Sequence, residues 1–201
     1  MEVLGLSIDS KITWTRHLSN ICRRAGQRLG ALRKLANKLD AKGRANIYKT
    51  QVRSIMEYSC LAWMNASQTT LSQLDIIQRK ALKIIGVDED IALQQYAISK
   101  LSHRRTVAAT TVLYKMHTPS CPADLKALLP QVRPPGRITR RVPPSHALET
   151  PTSNTKCLDR SFLHTALTTW NSLPPAVVGD ITPNGIHAFK KRLNKHLLSN
   201  L

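Results

Sequence analysis

The sequence is poor in acidic residues: its 201 residues include 12 Asp and Glu against 30 Lys and Arg, which leaves a formal net charge of +18. Because this charge exceeds what solubility requires, a polyanionic partner is the simplest explanation. Cationic surfaces bind phosphates by releasing condensed counterions, so we expect RNA, DNA or an RNA–DNA hybrid as the partner. The sequence has no long apolar run and no basic segment with aromatic anchors, so we expect no membrane binding.

Paired cysteines are also missing, since Cys22, Cys60, Cys121 and Cys157 lie far apart. Without a Cys-x-x-Cys pair, neither a zinc site nor a disulfide framework is indicated. Cys22 and Cys60 lie in apolar helical patterns and are expected to be buried. The N-terminus has no basic region followed by an apolar stretch, so we expect an intracellular protein, nuclear and cytoplasmic, that is not secreted.

The common catalytic signatures are absent. The sequence has no GxxxxGK[ST], GxSxG or HExxH motif, and its seven histidines do not stand at metal-ligand spacing. Polymerase chemistry requires carboxylates that bind two metal ions, typically an Asp-Asp pair, and the sequence contains no such pair. We therefore expect no cofactor, no small-molecule substrate and no catalysis by this chain itself.

One acidic cluster, Asp88-Glu89-Asp90, stands out in this basic sequence. Clustered carboxylates hold Mg²⁺ in nucleases, so a small metal-dependent nuclease is one alternative function. The cluster follows Gly86, which ends a helical pattern, and precedes another helical stretch. Complementation of a helix N-terminus, or simple solvation, is therefore the preferred interpretation.

Helical periodicity dominates the sequence. Apolar residues recur at steps of three and four from 17 to 39, and similar patterns predict helices over 45–63, from 67–70 to 85, over 102–117, and from 186 onwards. Tyr48, Tyr58 and Trp63 lie in the second pattern and are expected in the core. A short strand over 3–9 would have no partner sheet, which suggests that the chain was cut from a larger protein.

Cations cover the first predicted helix on the side away from its apolar residues. Asp40 is the only carboxylate between Lys11 and Glu57, so ion pairs along the helix cannot neutralise this side. A solvated surface is the alternative interpretation, but the single sign of the charge favours phosphate contact. The candidate nucleic-acid-binding residues are Arg16, Arg23, Arg24, Arg28, Lys34, Lys38, Arg79, Lys83, Arg104, Arg105, Arg137 and Arg140. We call the first six of these residues the cationic face.

Prolines concentrate in one region, because eight of the 11 fall between Pro119 and Pro151. Regular structure cannot persist through this density, so 119–157 is predicted to be a Pro/Arg-rich segment that forms an extended linker or wraps along the protein surface. A protein-interaction module that uses this arm is a second alternative function. The expected fold is mainly α: a bundle of three to four helices over 17–118 after a short N-terminal strand, then the linker, then a small helical segment over 158–201 in which Trp170 anchors the chain.

Several motifs of this sequence resemble those of LINE-type reverse transcriptases. The family passage "LGV-x-ID…L-x-W-x-x-H", which follows the catalytic palm, is similar to residues 4–9 and 14–17. The passages "LY-x-x-x-VR-x-x-x-EY…W" and "QR-x-ALR-x-I" are similar to residues 48–63 and 78–85. The passage "L-x-x-RR…LYK" is similar to residues 101–115.

Motifs of the family's tail follow in the same order. They are similar to residues 137–140, 160–162, 170–174 and 189–193. Together the ordered matches cover nearly the whole chain. The chain therefore resembles the C-terminal thumb and tail of a non-LTR (LINE-type, Jockey-like) retrotransposon reverse transcriptase.

The resemblance implies a role for each segment. Residues 1–16 would be a remnant of the palm and primer-grip strand, and the bundle over 17–118 would be a thumb that closes on primer–template or element RNA. A duplex held by its backbone is gripped without strong sequence specificity. Fingers, most of the palm and the endonuclease have no counterpart here, so the resemblance implies a non-catalytic fragment.

Overall fold

The structure is a computed structural model that describes residues 1–132, 146–152 and 154–199. The chain divides into two units, Met1–Ser102 and His103–Leu201. Helices make up most of both units, and the described ranges contain only two strands, of two residues each, which confirms the mainly α class. Among the described helices, none has both the length and the apolar character that crossing a membrane requires.

The first unit opens with a hairpin, so the prediction of a strand without a partner was wrong. β1 (Glu2–Val3) pairs with β2 (Leu6–Ser7) in antiparallel register. Leu4 and Gly5 form the turn with φ values of 48° and 77°. Positive φ at both central residues gives a turn whose twist matches that of the two strands. Sequence alternation indicated extended residues but did not reveal this turn, because leucine seldom adopts positive φ.

α1 (Thr15–Leu35) follows the hairpin and ends in a 3₁₀ turn, Ala36–Lys38. These elements match the helix predicted over 17–39 to within one turn. One side of α1 is buried, and its buried residues are His17, Leu18, Ile21, Ala25, Leu29 and Leu32. This side is the apolar face that the sequence periodicity predicted.

The second predicted helix, over 45–63, is not continuous. α2 (Ala41–Ile47) is capped at its N-terminus by Asp40, whose carboxylate accepts the N–H of Gly43 at 2.7 Å. It runs into a π-helical segment, Tyr48–Arg53, followed by α3 (Ser54–Glu57) and, after an interruption, α4 (Cys60–Trp63).

Two side-chain hydrogen bonds accompany the interruption between α3 and α4. Ser59 adopts a φ of 48°, and the preceding Tyr58 carbonyl accepts the indole N–H of Trp63 at 3.0 Å. The Tyr58 hydroxyl donates to the carbonyl of Leu4 at 3.0 Å. Trp63 and Tyr48 are fully buried as predicted, but Tyr58 is 54% exposed, so its assignment to the core was wrong.

α5 (Gln68–Ile85) packs against α1 and completes the core of the first unit. The Ser67 hydroxyl accepts the N–H of Thr70 at 3.2 Å, and Gly86 ends the helix with a φ of 87°. The end at Gly86 was predicted from sequence, because glycine adopts positive φ without strain, and the cap at Ser67 falls within the range 67–70 in which the start was predicted. α6 (Glu89–Tyr96) follows after a short connection.

α7 (Leu101–His117) matches the helix predicted over 102–117. The second unit continues with α8 (Ala123–Lys126), α9 (Lys156–Asp159), α10 (Phe162–Ser172), α11 (Pro175–Val178), a 3₁₀ turn (Pro183–Gly185) and α12 (Ile186–Ser199).

The core of the second unit is aromatic. Tyr114 of α7 stacks on Phe189 of α12, with ring centroids 4.3 Å apart, and Trp170 of α10 is 1% exposed beside both rings. Trp170 thus anchors its segment as predicted. The sequence grouped α7 with the preceding helices, whereas the unit boundary assigns all but its first two residues to the second unit.

The predicted linker over 119–157 is partly described. Residues 146–150 pack against the rest of the second unit, because Ala147 and Leu148 are buried. The side chain of Asn171 accepts the Leu148 N–H at 2.9 Å and donates to the Leu148 carbonyl at 2.8 Å. Periodicity could not reveal this pairing, which depends on α10. The centre of the linker, 133–145, lies outside the described residues.

Candidate nucleic-acid interface

The turn before α1 positions the start of the helix and uses the nearest carboxylate. Asp9 accepts hydrogen bonds from the backbone N–H groups of Lys11, Thr13 and Trp14 and from the Thr13 hydroxyl, at 2.8 to 3.2 Å. The bonds from Thr13 contribute most to lowering the pKa of the Asp9 carboxyl below its usual value. Asp9 is therefore held by its own turn and does not pair with the cations of α1.

All six residues of the cationic face are exposed. Among the described residues, none of the six takes part in an ion pair. Because the opposite side of α1 is buried against α5 and the π-helical segment, the helix holds five of these cations toward solvent, and the sixth, Lys38, lies in the 3₁₀ turn that follows. The predicted arrangement, an apolar side in the core and an unneutralised cationic side outside it, is present in the structure.

A groove runs between α1 and α5 beside the cationic face and has a volume of about 440 Å³. Its lining consists of Cys22, Arg23, Gly26, Leu29, Gly30 and Arg33 from α1, and of Gln73, Ile76, Ile77 and Lys80 from α5. Burial raises the pKa of the Cys22 thiol, which keeps this residue neutral near pH 7. Three cations and no carboxylate line the groove, so its local potential is positive.

Sequence reasoning did not select Arg33 and Lys80 as candidate residues. No sequence pattern distinguishes Arg33 or Lys80 from the other basic residues of their helices. They become candidates because the packing of α1 on α5 places both at the same groove. Arg79 and Lys83 were selected, and both are exposed on α5.

The remaining candidates lie elsewhere. The sequence left Arg104 and Arg105 open between phosphate contact and pairing with a carboxylate; in the structure Arg104 is half-buried and Arg105 is 7% exposed. Both belong to the second unit, while the cationic face belongs to the first. Arg137 and Arg140 lie outside the described residues.

The acidic cluster lies at the N-terminus of α6, where the sequence favoured helix-dipole complementation or solvation. Asp88 accepts the N–H of Ile91 at 2.7 Å and so caps α6, and Glu89 forms an exposed ion pair with Lys100 at 3.7 Å. Acidic groups in this position also complement the helix dipole. Across the residues that the structure describes, no group of three or more His, Cys, Asp or Glu side chains is placed to hold a metal ion.

His17 ties the N-terminal hairpin to α1. Its Nδ1 accepts the backbone N–H of Ser7 at 3.3 Å, and its ring lies edge-on to Trp14 with centroids 6.0 Å apart. Burial lowers the pKa of His17, against a smaller opposing effect of Glu2. A neutral imidazole at this position is consistent with the Ser7 bond, because only an unprotonated nitrogen accepts a hydrogen bond.

Comparison with known proteins gives one informative similarity. The chain is 31% identical over 88 residues to the RNA-directed DNA polymerase from mobile element jockey of Drosophila melanogaster. The match covers 42% of this chain but 10% of that polymerase, so the chain corresponds to a small part of it. No protein-family model and no solved structure matches the chain. The similarity supports a relation to the reverse transcriptases of non-LTR retrotransposons, the family that the sequence motifs resemble.

Proposed function

We propose that the chain is the C-terminal thumb-and-tail part of a retrotransposon reverse transcriptase, and that it holds the backbone of nucleic acid without catalysing a reaction itself. The observation that carries this proposal is the cationic face, six exposed side chains with no ion-pair partner among the described residues. The similarity to the jockey polymerase supports the same assignment. Primer–template duplex and element RNA are the proposed partners.

The physical basis is recognition of phosphates by a rigid helix. A helix of 21 residues is about 30 Å long, so α1 reaches several phosphates of one strand. Phosphate contacts fix the position of a protein on a duplex but carry no base information. Binding is therefore expected to be weakly dependent on sequence and strongly dependent on salt.

A salt series with matched lysine variants tests the proposal. Lys34→Gln removes one cation from the cationic face, whereas Lys100→Gln removes one from an exposed side chain of the same unit that pairs with Glu89. The affinity for a fluorescent RNA–DNA hybrid is measured between about 50 and 200 mM salt. Lys34→Gln is expected to lower the slope of log K against log salt by about 1, and Lys100→Gln to leave it unchanged.

Two results would contradict the binding proposal: a flat salt dependence of the unmodified chain, or equal effects of the two lysine variants. Metal-dependent extension or cleavage of the hybrid by the purified chain would contradict the non-catalytic part. A hybrid of scrambled sequence provides the specificity control, and its affinity is expected to equal that of the first hybrid.

A further inference from the structure

The groove between α1 and α5 differs from the open cationic face because two helices enclose it. Arg23 and Arg33 of α1 and Lys80 of α5 bring positive charge to it from both sides. Leu29 and Ile76 give the same groove an apolar part. A ligand that fills it must therefore carry anionic groups and also present carbon to the protein.

Two glycines open the α1 side of this groove. Gly26 and Gly30 lie in the interior of α1, where glycine is less favourable than alanine because it loses more backbone freedom on folding. A Cβ atom added at either position would meet nothing within 4 Å. The packing of this chain therefore does not require glycine at these positions, and space is left directly above the helix backbone.

We propose that the groove seats the sugar-phosphate backbone of one nucleic-acid strand. Phosphates contact Arg23, Arg33 and Lys80, and sugar carbons lie against the glycine backbone and the apolar part of the lining. A partner helix fits less well, because it would have to remove three cations from water, and no carboxylate stands among the described residues that line the groove to pair with them. The inference rests on the proposed function. It adds that one strand of the nucleic acid contacts the protein closely in the groove, so that binding there depends on the shape of the groove as well as on its charge.

Variants that fill the groove without changing charge test this inference. Gly26→Ala with Gly30→Ala, and separately Gly30→Leu, keep the net charge while adding carbon to the open side. The thermal midpoint is expected to rise in the double alanine variant, because alanine favours the helix. Affinity for a labelled single-stranded RNA oligonucleotide is expected to fall by roughly tenfold, the equivalent of about 1.4 kcal/mol, and further with leucine.

The salt series separates failure of this inference from failure of the proposed function. The filled variants are expected to keep the salt slope of the unmodified chain, because their cations are intact. Normal affinity in the filled variants, together with a lowered slope in Lys34→Gln, would overturn the groove and leave the cationic face in place. A flat slope in every protein would overturn both.

A control variant and a competitor complete the test. Ala62→Leu adds bulk to an exposed residue of α4 in the same unit, outside both the groove and the cationic face, and it is expected to bind normally. Equal weakening by Ala62→Leu and Gly30→Leu would overturn the groove as the seat of the strand. A glutamate-rich peptide that binds more tightly than the RNA, and that loses binding in Gly30→Leu, would identify a protein site instead.

Discussion

α1 in the first unit and α12 in the second both lack acidic residues, yet their arginines serve different purposes. Arg23 of α1 is exposed and forms no ion pair with any described residue. Arg192 of α12 is half-buried and donates from its guanidinium to the carbonyls of Val177 and Val178 at 2.9 and 3.0 Å. The first helix presents charge to solvent, and the second uses charge to hold the end of α11.

The difference shows that net charge is not a measure of binding surface. Arg105 is buried and Arg192 is bound to backbone carbonyls, although both contribute to the total of +18. An arginine that satisfies carbonyls stabilises the fold, whereas one without such bonds is available to a phosphate. The following predictions test whether the two units divide these roles in this way.

The largest expected effect comes from removing one buried tryptophan from each core. Trp63→Ala in the first unit and Trp170→Ala in the second are each expected to cost about 3–5 kcal/mol of stability, since both side chains are almost completely buried. Hydrogen exchange measures which unit loses protection. Hybrid binding is expected to be lost with Trp63→Ala, because the unit that carries α1 is destabilised, and retained with Trp170→Ala.

The two tryptophan variants also test whether the binding surface is confined to the first unit. If Trp170→Ala weakens binding as much as Trp63→Ala, the binding surface is not confined to the first unit. Trp170→Phe is a milder control, because it keeps an aromatic ring in the core but loses the indole N–H bond to the His146 carbonyl at 2.9 Å.

A smaller effect on stability is expected when one arginine in each of the two helices is replaced by glutamine. Arg192→Gln removes two bonds from a charged donor to the carbonyls at the end of α11, so unfolding is expected to become easier by about 1.5–3 kcal/mol. Arg23→Gln removes no such bond and is expected to change stability by less than about 0.5 kcal/mol. Urea unfolding and hybrid binding, measured on both variants, are expected to give opposite rankings. Equal stability losses would contradict the division of roles.

The sequence predicted most of what depends on local patterns. The helices that became α1, α5 and α7 follow from the spacing of their apolar residues. Gly86 marked the end of α5, and its start was predicted within the range 67–70. The exposed cationic side of α1 followed from the same periodicity, because a helix that buries one face must expose the other.

What the sequence did not reveal depends on contacts between distant residues. The helix is interrupted at Ser59, where Tyr58 forms hydrogen bonds with Leu4 and Trp63. No local sequence pattern predicts these hydrogen bonds. Arg105 is buried whereas the residues of the cationic face are exposed, and a count of basic residues cannot reveal this difference. The groove exists only because α1 packs on α5, so Lys80 was not singled out.

The smallest expected effect is a pH dependence confined to the hairpin junction of the first unit. Burial lowers the pKa of His17 below 6.5, so the folded state favours the neutral ring. Stability from this residue is fully present above about pH 6.5 and is lost as the pH falls through the lower, folded-state pKa, because the unfolded chain takes up the proton first. Protonation also removes the acceptor that holds the Ser7 N–H.

Thermal unfolding between pH 7.5 and 5 measures this dependence. The midpoint is expected to decrease on acidification in the unmodified chain and to decrease less in His17→Gln, which keeps an acceptor but does not titrate. Hydrogen exchange should locate the acid-induced loss of protection at the Ser7 amide rather than in the second unit. If the thermal midpoint of His17→Gln depends on pH as that of the unmodified chain does, a group other than His17 titrates. The acid sensitivity would then not arise at the hairpin of the first unit.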